Sequence, residues 1–203
     1  FDDADNKIGD VSHKLNELVD SPDNSHSQQT QNILIMGGSL GALAINNVLP
    51  NAINRLPKKM TINIWHQTGK GKLQQVSKAY KDLKIDARVN EFIEDVTTAY
   101  RWADLIICRA GALTVSEVAI AAVPTIFIPY PYAIDNHQYL NAQWLVKNNA
   151  AKMIEQNKLD ALSLSVMLTD LLNNKEQMRN YSKALKKLSI PDSALKVASI
   201  CEE

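Results

Sequence analysis

The rhythm of apolar and polar positions changes near residue 32. Before it, "FDDADNKIGDVSHKLNELVDSPDNSHSQQT" is polar and acidic and ends in a Ser/Asn/Gln-rich stretch, so residues 1–31 read as a tail or linker. Within it Ile8, Val11, Leu15 and Leu18 recur at roughly helical spacing, enough for one short amphipathic helix. From Asn32 onward, short apolar runs alternate with helix-like segments. The runs are "NILIM" (32–36), "TINIWHQ" (61–67), "DARVNEF" (86–92), "DLIIC" (104–108), "TIFIP" (125–129) and "AKMIE" (151–155), and helical patterns continue from Leu159 to the end.

Runs rich in Ile, Leu and Val on both faces, each followed by a helix, predict a parallel sheet covered on both sides. The expected fold class is α/β: a doubly wound, Rossmann-like domain of about six strands over residues 32–203. Right-handed crossovers make 3-2-1-4-5-6 the leading strand order. In such a sheet ligands sit beyond the carboxyl ends of the strands, near the switch in strand order, so the turns there are where chemistry belongs.

Composition narrows the partners. Lys plus Arg and Asp plus Glu both number 22, so no net charge favours nucleic acid or an anionic membrane. The two cysteines, Cys108 and Cys201, are too few for a disulfide framework; Cys108 ends an apolar run, where a reduced thiol packs as a small hydrophobe. A reducing, cytoplasmic setting fits. No signal peptide is evident, and "AVPTIFIPYPYA" is short and broken by prolines, far from the roughly 18 apolar residues of a membrane span. The four histidines lack partners at ligand spacing, so no metal or cofactor is expected.

After the first strand comes "MGGSLGALAINN" with Gly37, Gly38, Ser39 and Gly41, a turn that can bring N–H groups against a phosphate at a helix N-terminus, or simply let helix and strand pack. It is neither G-x-G-x-x-G nor a Walker A loop, and the second strand ends "WHQTGKG" without the acid that holds an adenosine ribose, which argues against a dinucleotide. After the fourth strand, "RAGALTVSEVA" admits two readings. Thr114-Val-Ser-Glu117 matches the capping box S/T-x-x-E. If the helix starts instead at Ala112, the N–H groups of Ala112, Leu113 and Thr114 are free to meet an anion and Glu117 can reach a sugar hydroxyl. "PYPYAIDNHQYLNA" places Asp135 and Asn136, ordinary N-cap residues, beside His137 and Gln138, which suit a polyhydroxylated ligand. "EFIED", at the end of the third strand, has backbone that could pair with a flat base.

Taken together, "GGSLGA", "WHQTGKG", "EFIEDV", "WADLIICRAGALTVSE", "PTIFIPYP" and "DNHQYLNA" closely resemble the MurG family of bacterial peptidoglycan glycosyltransferases, in order, over about residues 32–200, with further support from "SIPDSALKVA". The resemblance implies one half of a two-domain GT-B enzyme, the C-terminal half that binds UDP-N-acetylglucosamine. The family transfers N-acetylglucosamine from UDP to undecaprenyl-pyrophosphoryl-MurNAc-pentapeptide, lipid I to lipid II, an inverting hexosyl transfer without metal at the cytoplasmic face of the inner membrane. Carried onto this sequence, it implies that Ser39 contacts the diphosphate and that the main chain of Ile93 reads the uracil edge. It also implies that Ala112, Leu113, Thr114, Val115, Ser116 and Glu117 hold the nucleotide, with Glu117 on the ribose hydroxyls, and that Gln138 binds the N-acetylglucosamine ring.

Leu40 departs from the Gln usual in the family, and residues 1–31 do not resemble its interdomain linker. The N-terminal domain, which in the family holds the acceptor lipid, the peripheral membrane contact and the candidate base, does not appear in this sequence. No catalytic residue is therefore assigned, and the expectation is a chain that binds the donor weakly and transfers nothing alone. Two other readings remain open at this point: the donor subunit of a two-chain glycosyltransferase, and a non-catalytic UDP-sugar-binding module.

Overall fold

The computed structural model describes residues 30–38, 42–133 and 136–189. A six-stranded, all-parallel sheet runs in the order β3-β2-β1-β4-β5-β6, which is the expected doubly wound order. The strands are β1 (Gln31–Met36), β2 (Ile62–Gln67), β3 (Arg88–Asn90), β4 (Leu105–Cys108), β5 (Thr125–Phe127) and β6 (Lys152–Met153). Between and after them lie α1 (Leu43–Asn54), α2 (Leu73–Asp82), α3 (Val96–Trp102), α4 (Ala112–Ala121), α5 (His137–Lys147), α6 (Ala161–Asn173) and α7 (Lys175–Leu188). The helix suggested by Ile8, Val11, Leu15 and Leu18 and the match at "SIPDSALKVA" fall mainly or wholly outside the described residues.

The two-residue period of each central strand divides the core into two layers. Ile33 and Ile35 of β1, with Leu105 and Ile107 of β4, pack beneath Ile45 and Leu49 of α1 and Leu164 and Leu168 of α6. Leu34, Ile106 and Cys108 point the other way, against Tyr100 of α3, Val118 of α4 and Leu145 of α5. A strand buried on both faces needs apolar residues at every position, which is why "NILIM" and "LIIC" read as unbroken runs. Cys108 is buried among these side chains, and burial pushes its thiol pKa up, so it packs as a neutral group.

The paired parts of β3, β5 and β6 are shorter than their apolar runs. The extended chain still bonds onward past the formal ends: Ile128 N donates to Cys108 O at 2.8 Å, Ile154 N to Phe127 O at 3.0 Å, and Gly69 N to Glu91 O at 3.0 Å. These continuations carry the carboxyl ends of all six strands toward one edge of the domain. The order reverses between β1 and β4, where Met36 lies opposite both Gln67 and Cys108. The glycine turn after β1 and the "RAG" turn after β4 therefore stand side by side.

Candidate functional site

The turn after β4 settles the competition between cap and open helix end. Gly111 is the N-cap, with no side-chain cap bond, and α4 begins at Ala112. Thr114 is therefore the third residue of the helix, and the Thr114–Glu117 capping box does not form. Val115 N donates to Gly111 O at 2.9 Å, the first bond of the helix, which leaves the N–H groups of Ala112, Leu113 and Thr114 without helical partners. Gly111 is not required by the backbone, since its φ of −60° is open to any residue. Nor is it required by packing, since a Cβ there would meet only Thr114 Oγ1, at 3.9 Å. The missing side chain leaves the approach to the helix end clear.

One turn further along α4 stands Glu117, and long helical side chains tend to lean toward the N-terminus of their helix. Tyr100 Oη donates to Glu117 Oε2 at 2.8 Å. Burial raises the Glu117 pKa, and the bond from Tyr100 offsets part of that shift. Burial, and then the Glu117 carboxylate, push the Tyr100 phenol up, so it remains a donor. Ser116 Oγ donates back to Ala112 O at 3.1 Å, Val115 packs against the second core layer and Leu113 is half exposed. The polar groups of the segment without a partner among the described residues are thus the leading amides, the Thr114 hydroxyl and one oxygen of the Glu117 carboxylate.

Around this turn the neighbouring strand ends are tied to one another. Gly37 N donates to Gln67 O at 3.0 Å. The Gln67 side chain accepts from Gly38 N at 3.0 Å and donates to Gly38 O at 3.1 Å and Glu91 O at 3.0 Å. Gly38 has φ +75°, the left-handed region that favours glycine, so this position does need the residue it has. Glu91 Oε1 accepts from Gly71 N at 2.7 Å. Just beyond, the main chain of Ile93 has no backbone partner among the described residues, and Phe92 is 49% exposed. Ser39 lies outside the described residues, as do Leu40 and Asp135.

On the other flank, Gln138 Oε1 accepts from Tyr130 N at 3.0 Å and from Ala110 N at 3.3 Å, while Asn141 Nδ2 donates to Ala110 O at 3.1 Å. Its carbonyl end therefore braces the turns after β4 and β5, and its Nε2 end has no partner among the described residues. Asn136 occupies the N-cap position of α5 with φ +55° and makes no side-chain cap bond. Arg109 is partly buried and is used within the fold: it donates to Ile128 O at 2.9 Å, Pro129 O at 3.1 Å and Gln156 Oε1 at 2.6 Å, pinning the end of β4 to the chain beyond β5 and β6.

Three residues that sequence reasoning did not single out organise this edge. Tyr100 orients Glu117, Gln67 holds Gly38, and His66 is wholly buried between Tyr80 Oη at 3.0 Å and Asn46 Oδ1 at 3.1 Å. Asn46 in turn donates to Thr68 O at 2.9 Å, joining α1 to the turn after β2. Burial pulls the His66 pKa down to about 3, so the imidazole is neutral. His66 and Gln67 lie in the "WHQTGKG" motif that closes an apolar strand, but nothing in the sequence marked Tyr100. Among the described residues, no three His, Cys, Asp or Glu side chains gather as a metal site.

An uncapped helix start, an acid held by a neighbouring helix and a glycine at the next strand end come together at this edge of the sheet, and comparison with known proteins gives the family. The family model for the glycosyltransferase family 28 C-terminal domain matches residues 32–197. The chain belongs to this family. Among family 28 relatives, the Colwellia psychrerythraea UDP-N-acetylglucosamine–N-acetylmuramyl-(pentapeptide) pyrophosphoryl-undecaprenol N-acetylglucosamine transferase is 43% identical over 185 residues, covering 89% of this chain and 48% of the relative. The Methylococcus capsulatus protein of the same description is 44% identical over 173 residues, covering 85% and 49%. The crystal structure of Acinetobacter baumannii MurG superposes with a TM-score of 0.82 at 35% identity, over 96% of this chain and 54% of that one. The glycosyltransferase VinC, solved with dTDP, shares the fold at a TM-score of 0.62 and 16% identity. The chain thus spans about half the length of the family 28 relatives it matches.

Proposed function

We propose that this chain is the UDP-N-acetylglucosamine-binding half of a glycosyltransferase that moves N-acetylglucosamine onto undecaprenyl-pyrophosphoryl-MurNAc-pentapeptide, at the cytoplasmic face of a membrane. The observation that carries the reading is Glu117, held at 2.8 Å by Tyr100 beside the uncapped start of α4. A carboxylate fixed there accepts from both ribose hydroxyls, while the amides of Ala112 to Thr114 and the positive end of the helix face the diphosphate. The main-chain groups of Ile93 pair with the uracil edge, Ser39 contacts the diphosphate, and Gln138 turns its Nε2 to the sugar ring.

As the acceptor hydroxyl displaces UDP, negative charge grows on the departing diphosphate. Fixed amides and the helix end stabilise that charge in the transition state without having to reorganise. The group that deprotonates the acceptor and the seat for the lipid belong to the other half of the enzyme. Among the described residues no helix is long and apolar enough to cross a membrane.

Calorimetry with UDP-N-acetylglucosamine, UDP-glucose and UDP tests the reading. The wild-type chain binds all three, the N-acetyl sugar more tightly than glucose, and Glu117→Ala weakens each. Equal binding by Glu117→Ala and wild type would place the nucleotide elsewhere.

A further inference from the structure

We propose that Gln67 is a positioning residue that latches the glycine turn after β1 to the end of β3, so that the diphosphate and uracil ends of the donor site are held in one fixed relation. The inference rests on the donor-site reading above and goes beyond it by assigning a residue expected to touch no ligand.

The side-chain amide of Gln67 is almost fully used. Its oxygen accepts from Gly38 N, and its two N–H groups donate to Gly38 O and Glu91 O. Only this orientation of the amide satisfies one N–H and two carbonyls, so the contacts themselves assign which atom is nitrogen. Gln67 is 6% exposed, and a polar group so enclosed is costly to leave unmatched.

The two ends of the latch differ in how else they are held. Glu91 O also accepts from Gly69 N at 3.0 Å, and the Glu91 side chain accepts from Gly71 N at 2.7 Å. The end of β3 therefore stays anchored without Gln67. Gly38 is held less securely: both of its main-chain bonds go to the Gln67 side chain, and the nearest other anchor is the preceding residue, Gly37, whose N donates to Gln67 O at 3.0 Å. At φ +75°, with nothing within 4 Å of where a Cβ would sit, no packing on that side holds it. Loss of the amide thus loosens Gly38 and leaves the end of β3 in place.

The test compares uridine, UDP and UDP-N-acetylglucosamine binding to the 203-residue chain and to Gln67→Met, which keeps length and loses all three bonds. Uridine affinity should hold within about twofold, while UDP and UDP-N-acetylglucosamine should weaken by on the order of tenfold, the effect of losing a net hydrogen bond or two. In the same variant, amide hydrogen exchange at Gly38 should accelerate while that at Gly69 should stay slow. Gln67→Leu gives a second apolar side chain should the methionine not be accommodated. A measurement without any variant runs in parallel: UDP should slow exchange at Gly38 in the wild type more than uridine does.

Equal losses for uridine and UDP would make Gln67 a general structural residue and overturn the latch. So would an undiminished advantage of UDP over uridine in Gln67→Met. Wild-type protein that binds uridine as tightly as UDP would instead sink the donor-site reading, and the latch with it.

Discussion

The phenol of Tyr100 on α3 reaches Glu117 on α4 across 17 positions of sequence and fixes one carboxylate oxygen at 2.8 Å, leaving the other for a ligand. Removing the hydroxyl should loosen the acid without disturbing the ring's packing. Tyr100→Phe is expected to weaken UDP binding by roughly fivefold, the worth of one net hydrogen bond. Glu117→Gln, which keeps the shape and loses the charge-assisted bonds, should cost more, by about tenfold to a hundredfold. Calorimetry on the two variants ranks them; the reverse order would mean that Tyr100 matters for more than orientation.

Glu117 also gives the site a pH signature. Its pKa is raised in the folded chain, so its contribution to stability is fully present below the unfolded value and is lost as pH rises through the folded one. Glu117→Gln mimics the protonated acid. Its melting temperature should match wild type in acid and exceed it near neutrality, while UDP binding by wild type falls as pH drops and the carboxylate protonates. Thermal melts and calorimetry across the same pH series check both signs.

His66 has the opposite dependence. A folded pKa near 3 against an ordinary 6.5 means that the unfolded chain takes up the proton first. The stability His66 contributes is complete above about pH 6.5 and falls away toward pH 3, by up to roughly 5 kcal/mol. His66→Gln should melt lower than wild type at pH 7, because it gives up the bonds to Tyr80 and Asn46, yet show a flatter loss of melting temperature between pH 7 and pH 5. A slope as steep as wild type would place the acid sensitivity elsewhere.

Gly111→Ala separates folding from binding. Neither φ nor packing resists a methyl group there, so the expected cost to stability is at most about 1 kcal/mol, within the range for changing an N-cap residue. The added Cβ stands in front of the open helix end and should weaken UDP binding by about tenfold or more, as a diphosphate loses close approach to the amides. Binding at wild-type strength would show that the diphosphate does not enter there.

Arg109 behaves as a structural pin. Arg109→Lys keeps the charge and loses the planar fork that reaches Ile128 O, Pro129 O and Gln156 Oε1 together. A drop in stability of about 1–3 kcal/mol is expected in denaturant melts, since buried carbonyls are left without donors.

Much of the fold was legible because a strand buried on both faces has little choice of residue. "NILIM" and "LIIC" could be read as central strands from composition alone, and alternation with helices implied the parallel, doubly wound order. The candidate site was legible as a set of turns, since chain order and strand order together bring the ends of β1 and β4 side by side. Where the helix after β4 begins was not legible: Thr114 and Glu117 fit a capping box as well as they fit an open end. The bracing role of Gln138 was not legible: its carbonyl oxygen accepts from Ala110 N and Tyr130 N, 28 and 8 positions away, contacts that spacing does not reveal.

By itself the sequence determined the class of fold and the turns at the strand ends, because burial and helix-strand alternation are written residue by residue, while the strand order it favoured was fixed by the sheet. Tertiary structure decided which polar side chains are free to act. Tyr100, Gln67 and His66 each meet partners brought close only by the closed sheet, and a hydrogen bond between distant residues leaves no local pattern. Thus Glu117, which could have been a cap, stands instead as an acid oriented from a neighbouring helix.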